Sequence, residues 1–396
     1  MTASAPSVAY PQTGVDQLFA PGVALLLVLQ LFNLATFNLQ PELMRTGIEA
    51  ISFLGYCALF GLAALHAGAA TVLHWIGLAL FIIAALIGYW RHPEQAHLSA
   101  LAKDITGLML LSILTLRQSP APARPLFNLL WLAAIPATLL GLFFAFTGEA
   151  YVQQGIRRLA VFVGGEEGLH PSAYAMVIFF FTFLVLVRAR AGIWLVSLAM
   201  MAGALAVIGG YQVRTTWMLL LIFLGYATIL WLSKRSGWMV VGAVGVGCML
   251  VAGLLLYVIG SGFDLASFSS GRTVVYAERL ALVGDRGIVD LLFGTGSGSD
   301  FMRGVAAWRW EDKDSHNDLM TMLIEVGIVG WIGFALMVLA VLWALPTQEK
   351  GWLLMMAASA VVSNGVLLRP SIGPPLILVA YLAVALRRRS QMTEEA

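Results

Sequence analysis

Charge is what this chain has least of. Only 11% of its 396 residues are Asp, Glu, Lys or Arg, against 60% hydrophobic, where a soluble domain carries about 25% charged residues. That balance excludes an ordinary water-soluble domain. The net charge of +2, with no Lys/Arg-rich tail in the first half, argues against a nucleic-acid partner. Cysteine is nearly absent. Cys57 and Cys248 both sit inside apolar runs, which argues against a disulfide framework and for a packing role. Residues 1–20 contain no Lys or Arg and so lack the basic start of a signal peptide; they read as a retained cytosolic coil rich in Pro, Gln and Thr. No internal repeat pairs one half of the chain with the other, which weakens an inverted-repeat transporter.

What is abundant is apolar sequence, with a mean hydropathy of +0.87. Runs near 20 residues recur, each long enough to cross about 30 Å of hydrocarbon as a helix. The pattern predicts an all-α, polytopic membrane protein of about 12 transmembrane helices, at 21–37, 49–65, 72–90, 104–117, 127–147, 172–188, 193–209, 216–232, 238–259, 317–345, 352–368 and 371–386. The chain then divides into a coil (1–20), nine spans (21–259), one large loop (260–316) carrying short helices, three spans (317–386) and a tail (387–396). The 40 glycines cluster within spans, as at Gly242, Gly245 and Gly247 or Gly327, Gly330 and Gly333, and read as close-packing positions.

Charge asymmetry sets the orientation. Arg117 to Arg124, Arg188, Arg190, Lys234, Arg235, Lys350 and Arg387 to Arg389 all fall on connectors of one parity, where Glu349 is their acidic companion. The other parity receives Glu42, Glu94, Glu149, Glu166, Glu167 and the acid-rich 260–316 loop. Both termini are therefore expected in the cytosol and the large loop on the outward face.

The loop holds the candidate chemistry. Arg214 stands just before a span, and Arg272, Arg279 and Arg286 follow one another at intervals of seven. That spacing puts the three on one stripe of a helix, with Tyr276, Leu280 and Val283 on or beside it, in a short amphipathic segment lying on the membrane surface. Taken singly, each arginine reads as an interfacial anchor. Together, guanidiniums offer planar donor forks suited to phosphate oxygens, and two of them neutralise a pyrophosphate without a metal. His316 closes the loop where a span begins, with Asp314 or Ser315 as the expected cap, and an imidazole exchanges protons near neutral pH. Asn317 is placed to orient that ring or a substrate hydroxyl. Asp318 and Glu325 follow on the span, and Glu325 reads equally as functional or as a structural partner. His170, before an earlier span, is a further candidate for the same cleft. Gly294-Thr295-Gly296-Ser297-Gly298 reads as a flexible turn, with phosphate cradling as the alternative, although it lacks the Lys-Ser/Thr of a P-loop. Asp312-Lys313-Asp314 has metal-ligand spacing, but on a solvated acidic loop that pattern arises by chance; neither a metal nor a cofactor is expected.

From Gly164 to Leu345 this order of elements resembles the bacterial O-antigen ligase and Wzy-type polysaccharide polymerase family. The elements are a Gly-rich, Pro-containing turn before a span, Arg214-Thr215 opening a later span, Gly271-Arg272 opening the large loop, Gly-x-Gly within it, His316-Asn317 closing it, and Glu325-Val326-Gly327 beyond. The chain departs from many relatives in having Gln212-Val213 rather than Ser before the first arginine. The resemblance implies a metal-independent, inverting glycosyltransferase of the inner membrane, acting on the periplasmic side. It implies transfer of a glycan en bloc from an undecaprenyl-pyrophosphate carrier to a hydroxyl on lipid A–core or on a second lipid-linked glycan. Arg214 and Arg272 would bind the pyrophosphate, and His316 would act as base or position the hydroxyl. Ligase and polymerase are not separated by the residues, although His-Asn-Asp before an apolar run leans toward polymerase. The alternatives are a transporter or flippase of lipid-linked glycans and a metal-dependent transferase using Asp312 and Asp314.

Overall fold

A computed structural model describes residues 14–36, 40–65, 67–116, 124–148, 151–153, 156–160, 169–235, 272–300, 317–362, 367–369 and 371–395, with single positions between 237 and 249. The architecture is helical. Eight helices come first: α1 (Gly14–Thr36), α2 (Glu42–Leu65), α3 (Ala69–Arg91), α4 (Leu98–Leu110), α5 (Arg124–Thr147), α6 (Leu169–Arg188), α7 (Trp194–Tyr211) and α8 (Arg214–Ser233). Then come α9 (Arg272–Gly284), α10 (Ile288–Phe293), α11 (Asp318–Glu325), α12 (Gly327–Ala344), α13 (Lys350–Val362) and α14 (Gly373–Glu395). One antiparallel ribbon, β1 (Tyr151–Gln153) with β2 (Ile156–Arg158), joins α5 toward α6.

Among the described residues, 9 helical stretches are long and apolar enough to cross a bilayer, which marks this as a membrane protein. They fall on α1 to α8 and α12, with the α4 stretch continuing through a 3-10 turn, Leu111–Thr115. The span expected at 238–259 falls largely outside the described residues. The N-terminal coil is shorter than expected, since α1 already begins at Gly14 and carries Pro21 inside it.

One expectation changes. The 317–345 run is broken into α11 and α12, because Val326 leaves the helix and Gly327, the first residue of α12, takes φ +61°. The break turns the carbonyls of Ile324 and Glu325 away from the next helical turn. They accept instead from Thr295 N (3.0 Å) and Gly296 N (2.8 Å) of the Gly-rich loop. Helices also occupy the described parts of the 352–368 and 371–386 runs. α13 is described over Lys350–Val362, within the run expected at 352–368. After it, Leu367 is buried and its carbonyl lies where a Cβ on Gly107, midway along the α4 stretch, would stand. α14 then runs on past position 386 through Arg387 to Arg389.

The core is built around α6 and α14. Every residue from Leu376 to Ala385 is buried, as is every residue from Ser172 to Phe183, the all-round burial expected of a central helix. α3 and α12 pack closely because Gly77 faces Gly333: the backbone carbonyl of each occupies the place where a Cβ on the other would stand. Small residues that let helix backbones approach are the usual means of association where lipid gives no hydrophobic drive. Gly242 and Gly245, by contrast, have nothing near them among the described atoms.

Candidate functional site

The bundle has two chemically different ends, and side-chain contacts identify them. At one, Arg188 of α6 grips Glu349 (Nη2 to Oε1 2.6 Å), Trp352 Nε1 donates to Glu349 Oε2 (3.0 Å), and Tyr226 Oη of α8 donates to the Thr347 carbonyl (2.5 Å). Arg124 donates to the Arg190 carbonyl (3.4 Å), and Arg388 donates to the Leu116 carbonyl. Arg124, Arg188, Arg190, Lys234, Arg235, Lys350, Arg387 and Arg388 thus collect where α4, α6, α8, α12 and α14 end. The acid among them, Glu349, is almost completely buried.

The other end carries mixed charge and the candidate site. α12 starts there, with Gly327 against Leu292 and Gly294, while its C-terminal end meets Arg188 and Tyr226 through the residues that follow it. Arg214 opens α8 twelve residues before Tyr226, about 18 Å along the helix at 1.5 Å per residue. Arg214 and the loop therefore share an end.

The loop is docked firmly. The Gly-rich segment, expected to be a flexible turn, is instead buried at Thr295, Ser297, Ser299 and Asp300. Its alternative as a phosphate cradle also fails at most of its amides, which point inward to the protein. Gly294 N donates to Asp290 O (2.9 Å), Thr295 N and Gly296 N to α11 carbonyls, Ser299 N to Gly296 O (3.2 Å), and Asp300 N to Glu325 Oε1 (3.2 Å). Glu325 therefore serves as the structural partner of the loop. Gly294 has φ +71°, and its missing Cβ makes room for the Glu325 backbone; a left-handed backbone against another backbone admits only glycine.

Asp300 joins the two helices that flank the loop. Its Oδ1 lies 3.1 Å from Arg279 Nε of α9 and its carbonyl accepts from Arg279 Nη2 (3.2 Å), while Oδ2 accepts from Thr321 of α11 (2.9 Å). Arg279 and Asp300 are fully buried. Arg286 donates to the carbonyls of Ile324 (2.9 Å) and Leu323 (3.5 Å) and to Thr295 Oγ1 (3.3 Å), a cation placed at a helix C-terminus where the dipole favours it. These two arginines hold the loop in place. A helix covers Arg272–Gly284, as the stripe requires, with Arg286 beyond its end. Val275, Arg279 and Val283 face inward and Leu280 is exposed, because α9 packs against α11.

The remaining candidates divide. Arg214 is the first residue of α8, after Val213 as cap and a left-handed Gln212 (φ 53°), with its side chain exposed. Arg272 is the first residue of α9 and His170 the second of α6. His316, Asp312 and Asp314 lie outside the described residues, as does Cys248; Cys57 is a free, half-buried thiol in α2. The cap of α11 is Asn317, not Asp314 or Ser315: its Oδ1 accepts from Leu319 N (3.0 Å) and Met320 N (3.2 Å). Asn317, expected to orient the His316 ring or a substrate hydroxyl, thus has its oxygen engaged in the cap. Asp318 is nearly buried in the first turn of α11. Among the described residues no cluster of His, Cys, Asp or Glu is arranged to hold a metal ion.

Sequence reasoning missed Asp300, Arg91, His92 and Asp290. Asp300 meets Arg279 across 21 residues and His92 meets Asp290 across 198, and no local motif marks them.

Comparison with protein families, with characterised proteins and with solved structures found no match.

Proposed function

We propose that this protein is a metal-independent membrane glycosyltransferase of the O-antigen ligase and polysaccharide polymerase type, transferring a glycan from an undecaprenyl-pyrophosphate carrier to an acceptor hydroxyl. The observation that carries this reading is the arrangement of helix starts at the mixed-charge end. Arg214 opens α8, Arg272 opens α9, and Asn317, next after His316 in the chain, caps α11. Helix N-termini present the positive end of the dipole, so arginines that open helices stand where anions are favoured. α13 packs against both α8 and α11, and α11 packs against α9, which links the three starts through one set of neighbours.

On this reading Arg214 and Arg272 bind the pyrophosphate, and His316 acts on the acceptor hydroxyl as base or by positioning it. Stabilising the departing diphosphate is the larger electrostatic task, and a positioned base adds on the order of 10²–10⁴-fold. Displacement in one step inverts the anomeric centre. The basic end lies in the cytosol by the positive-inside rule, which turns the site toward the periplasm of the inner membrane. The acceptor is lipid A–core for a ligase or a second lipid-linked glycan for a polymerase.

Deletion of the gene followed by glycolipid gels tests this reading. Loss of a ligase leaves long polymer on the carrier lipid beside bare core; loss of a polymerase leaves single repeat units. A deletion strain whose glycolipids match wild type contradicts the proposal.

A further inference from the structure

Where α3 ends beside α10, three side chains converge that the reading above does not use. His92 Nε2 lies 3.1 Å from Asp290 Oδ1, and Arg91 Nη2 lies 3.3 Å from the same oxygen. The other ring nitrogen, Nδ1, lies 3.9 Å from Oε1 of Glu94, a side chain that is 63% exposed. His92 and Asp290 are 23% and 21% exposed, so the pair is reachable from water. They stand at the same end of the bundle as Arg214, because Gly88, one turn before His92, packs on Gly296 of the docked loop.

The main chain at His92 is fixed by hydrogen bonds on both sides. His92 N donates to Gly88 O (2.9 Å), and the His92 carbonyl accepts from Gln95 N (3.0 Å) and Ala96 N (3.1 Å). An ionised Asp290 can only accept, so the bond at Nε2 makes that nitrogen the donor, and a neutral ring then has Nδ1 as its acceptor. An acceptor nitrogen, oriented through the opposite nitrogen by a carboxylate that also meets the charge gained on protonation, is the arrangement general-base chemistry requires. A cation site does not fit the same atoms, since Asp290 and Glu94 stand on opposite nitrogens of one ring.

We propose that His92, oriented by Asp290, is a catalytic residue that takes the proton from the acceptor hydroxyl, leaving His316 the positioning role. This rests on the transferase reading. As the acceptor oxygen bonds to the anomeric carbon, its O–H bond breaks and the proton passes to Nδ1 of His92. The bond from that carbon to the diphosphate oxygen breaks, and its electron pair leaves with undecaprenyl diphosphate. No redox change occurs. Arg91 holds Asp290 from its other side, and Glu94 faces the ring once it is charged.

The competing explanation is a clamp between α3 and α10, and substitution separates the two. His92→Gln keeps an N–H donor for Asp290 but has no ring nitrogen to accept a proton. The assay uses the purified chain in detergent with a lipid-linked glycan as donor and a second lipid-linked glycan or lipid A–core as acceptor, and its thermal unfolding as a check on folding. His92→Gln is expected to unfold as wild type does while transfer slows by about 100-fold or more. His92→Ala is expected to recover turnover when imidazole is added, which a clamp alone does not give. Wild-type rates in His92→Gln overturn the assignment. If His92→Gln does not fold, absence of imidazole rescue in folded His92→Ala overturns it equally. A wild-type protein that transfers nothing defeats the transferase reading instead, so the two failures are distinct.

Discussion

Arg279 Nε lies 3.1 Å from Asp300 Oδ1, with both side chains sealed from solvent, and this pair ties α9 to the end of the Gly-rich loop. Removing one member of a buried pair leaves an uncompensated charge, at a cost of about 3–5 kcal/mol. Arg279→Ala and Asp300→Ala are each expected to lower the unfolding temperature strongly in detergent. Arg279→Met combined with Asp300→Leu is expected to lose less than either alone.

The Arg188–Glu349 pair makes a useful contrast. Arg188 is 33% exposed while Glu349 is 2% exposed. Water reaches the arginine left behind in Glu349→Ala, so that variant is expected to be destabilised less than Asp300→Ala. Arg188→Ala, which strands the buried carboxylate with Trp352 still donating to it, is expected to cost more than Glu349→Ala. Thermal unfolding of the two variants side by side gives the ordering.

The hinge between α11 and α12 depends on Gly327 and its contact with Gly294. A Cβ at Gly327 would stand 2.6 Å from the backbone of Leu292 and Gly294, at φ +61°. The left-handed conformation alone costs about 1–2 kcal/mol for other residues, and backbone on backbone cannot yield as a side chain does. Gly327→Ala is expected to reduce folded protein sharply, with Gly225→Ala, which meets nothing within 4 Å, as the neutral control. Size-exclusion profiles of the two variants report the difference.

The bipolar charge distribution gives a labelling experiment. In a background carrying Cys57→Ser and Cys248→Ser, Glu94→Cys is expected to react with an impermeant maleimide from the periplasmic side, and Lys234→Cys only after the cytosolic face is opened. Equal labelling of both positions from one side contradicts the orientation.

The apolar runs made the helical fold and most of its helices legible, because a length near 20 residues and a lack of charge are local properties. The break at Val326–Gly327 was hidden because it is caused by the distant loop, whose amides capture the Ile324 and Glu325 carbonyls. Within the site, the order of Arg214, Arg272 and Asn317 along the chain was readable, and each stands at a helix start. The structural roles of Arg279 and Arg286 were not, since an arginine stripe reads the same whether it faces phosphate or a buried aspartate. His92 and Asp290, 198 residues apart, meet only through the fold.

The central claim is that this chain itself moves a glycan from carrier to acceptor. Purified protein in proteoliposomes, given an undecaprenyl-pyrophosphate-linked glycan and an acceptor in the presence of a strong chelator, tests it directly. The account predicts glycan joined to the acceptor with release of undecaprenyl diphosphate, lost in Arg214→Ala and in His316→Ala while both variants still insert and fold. Movement of the intact lipid-linked glycan across the vesicle membrane with no new glycosidic bond would contradict it.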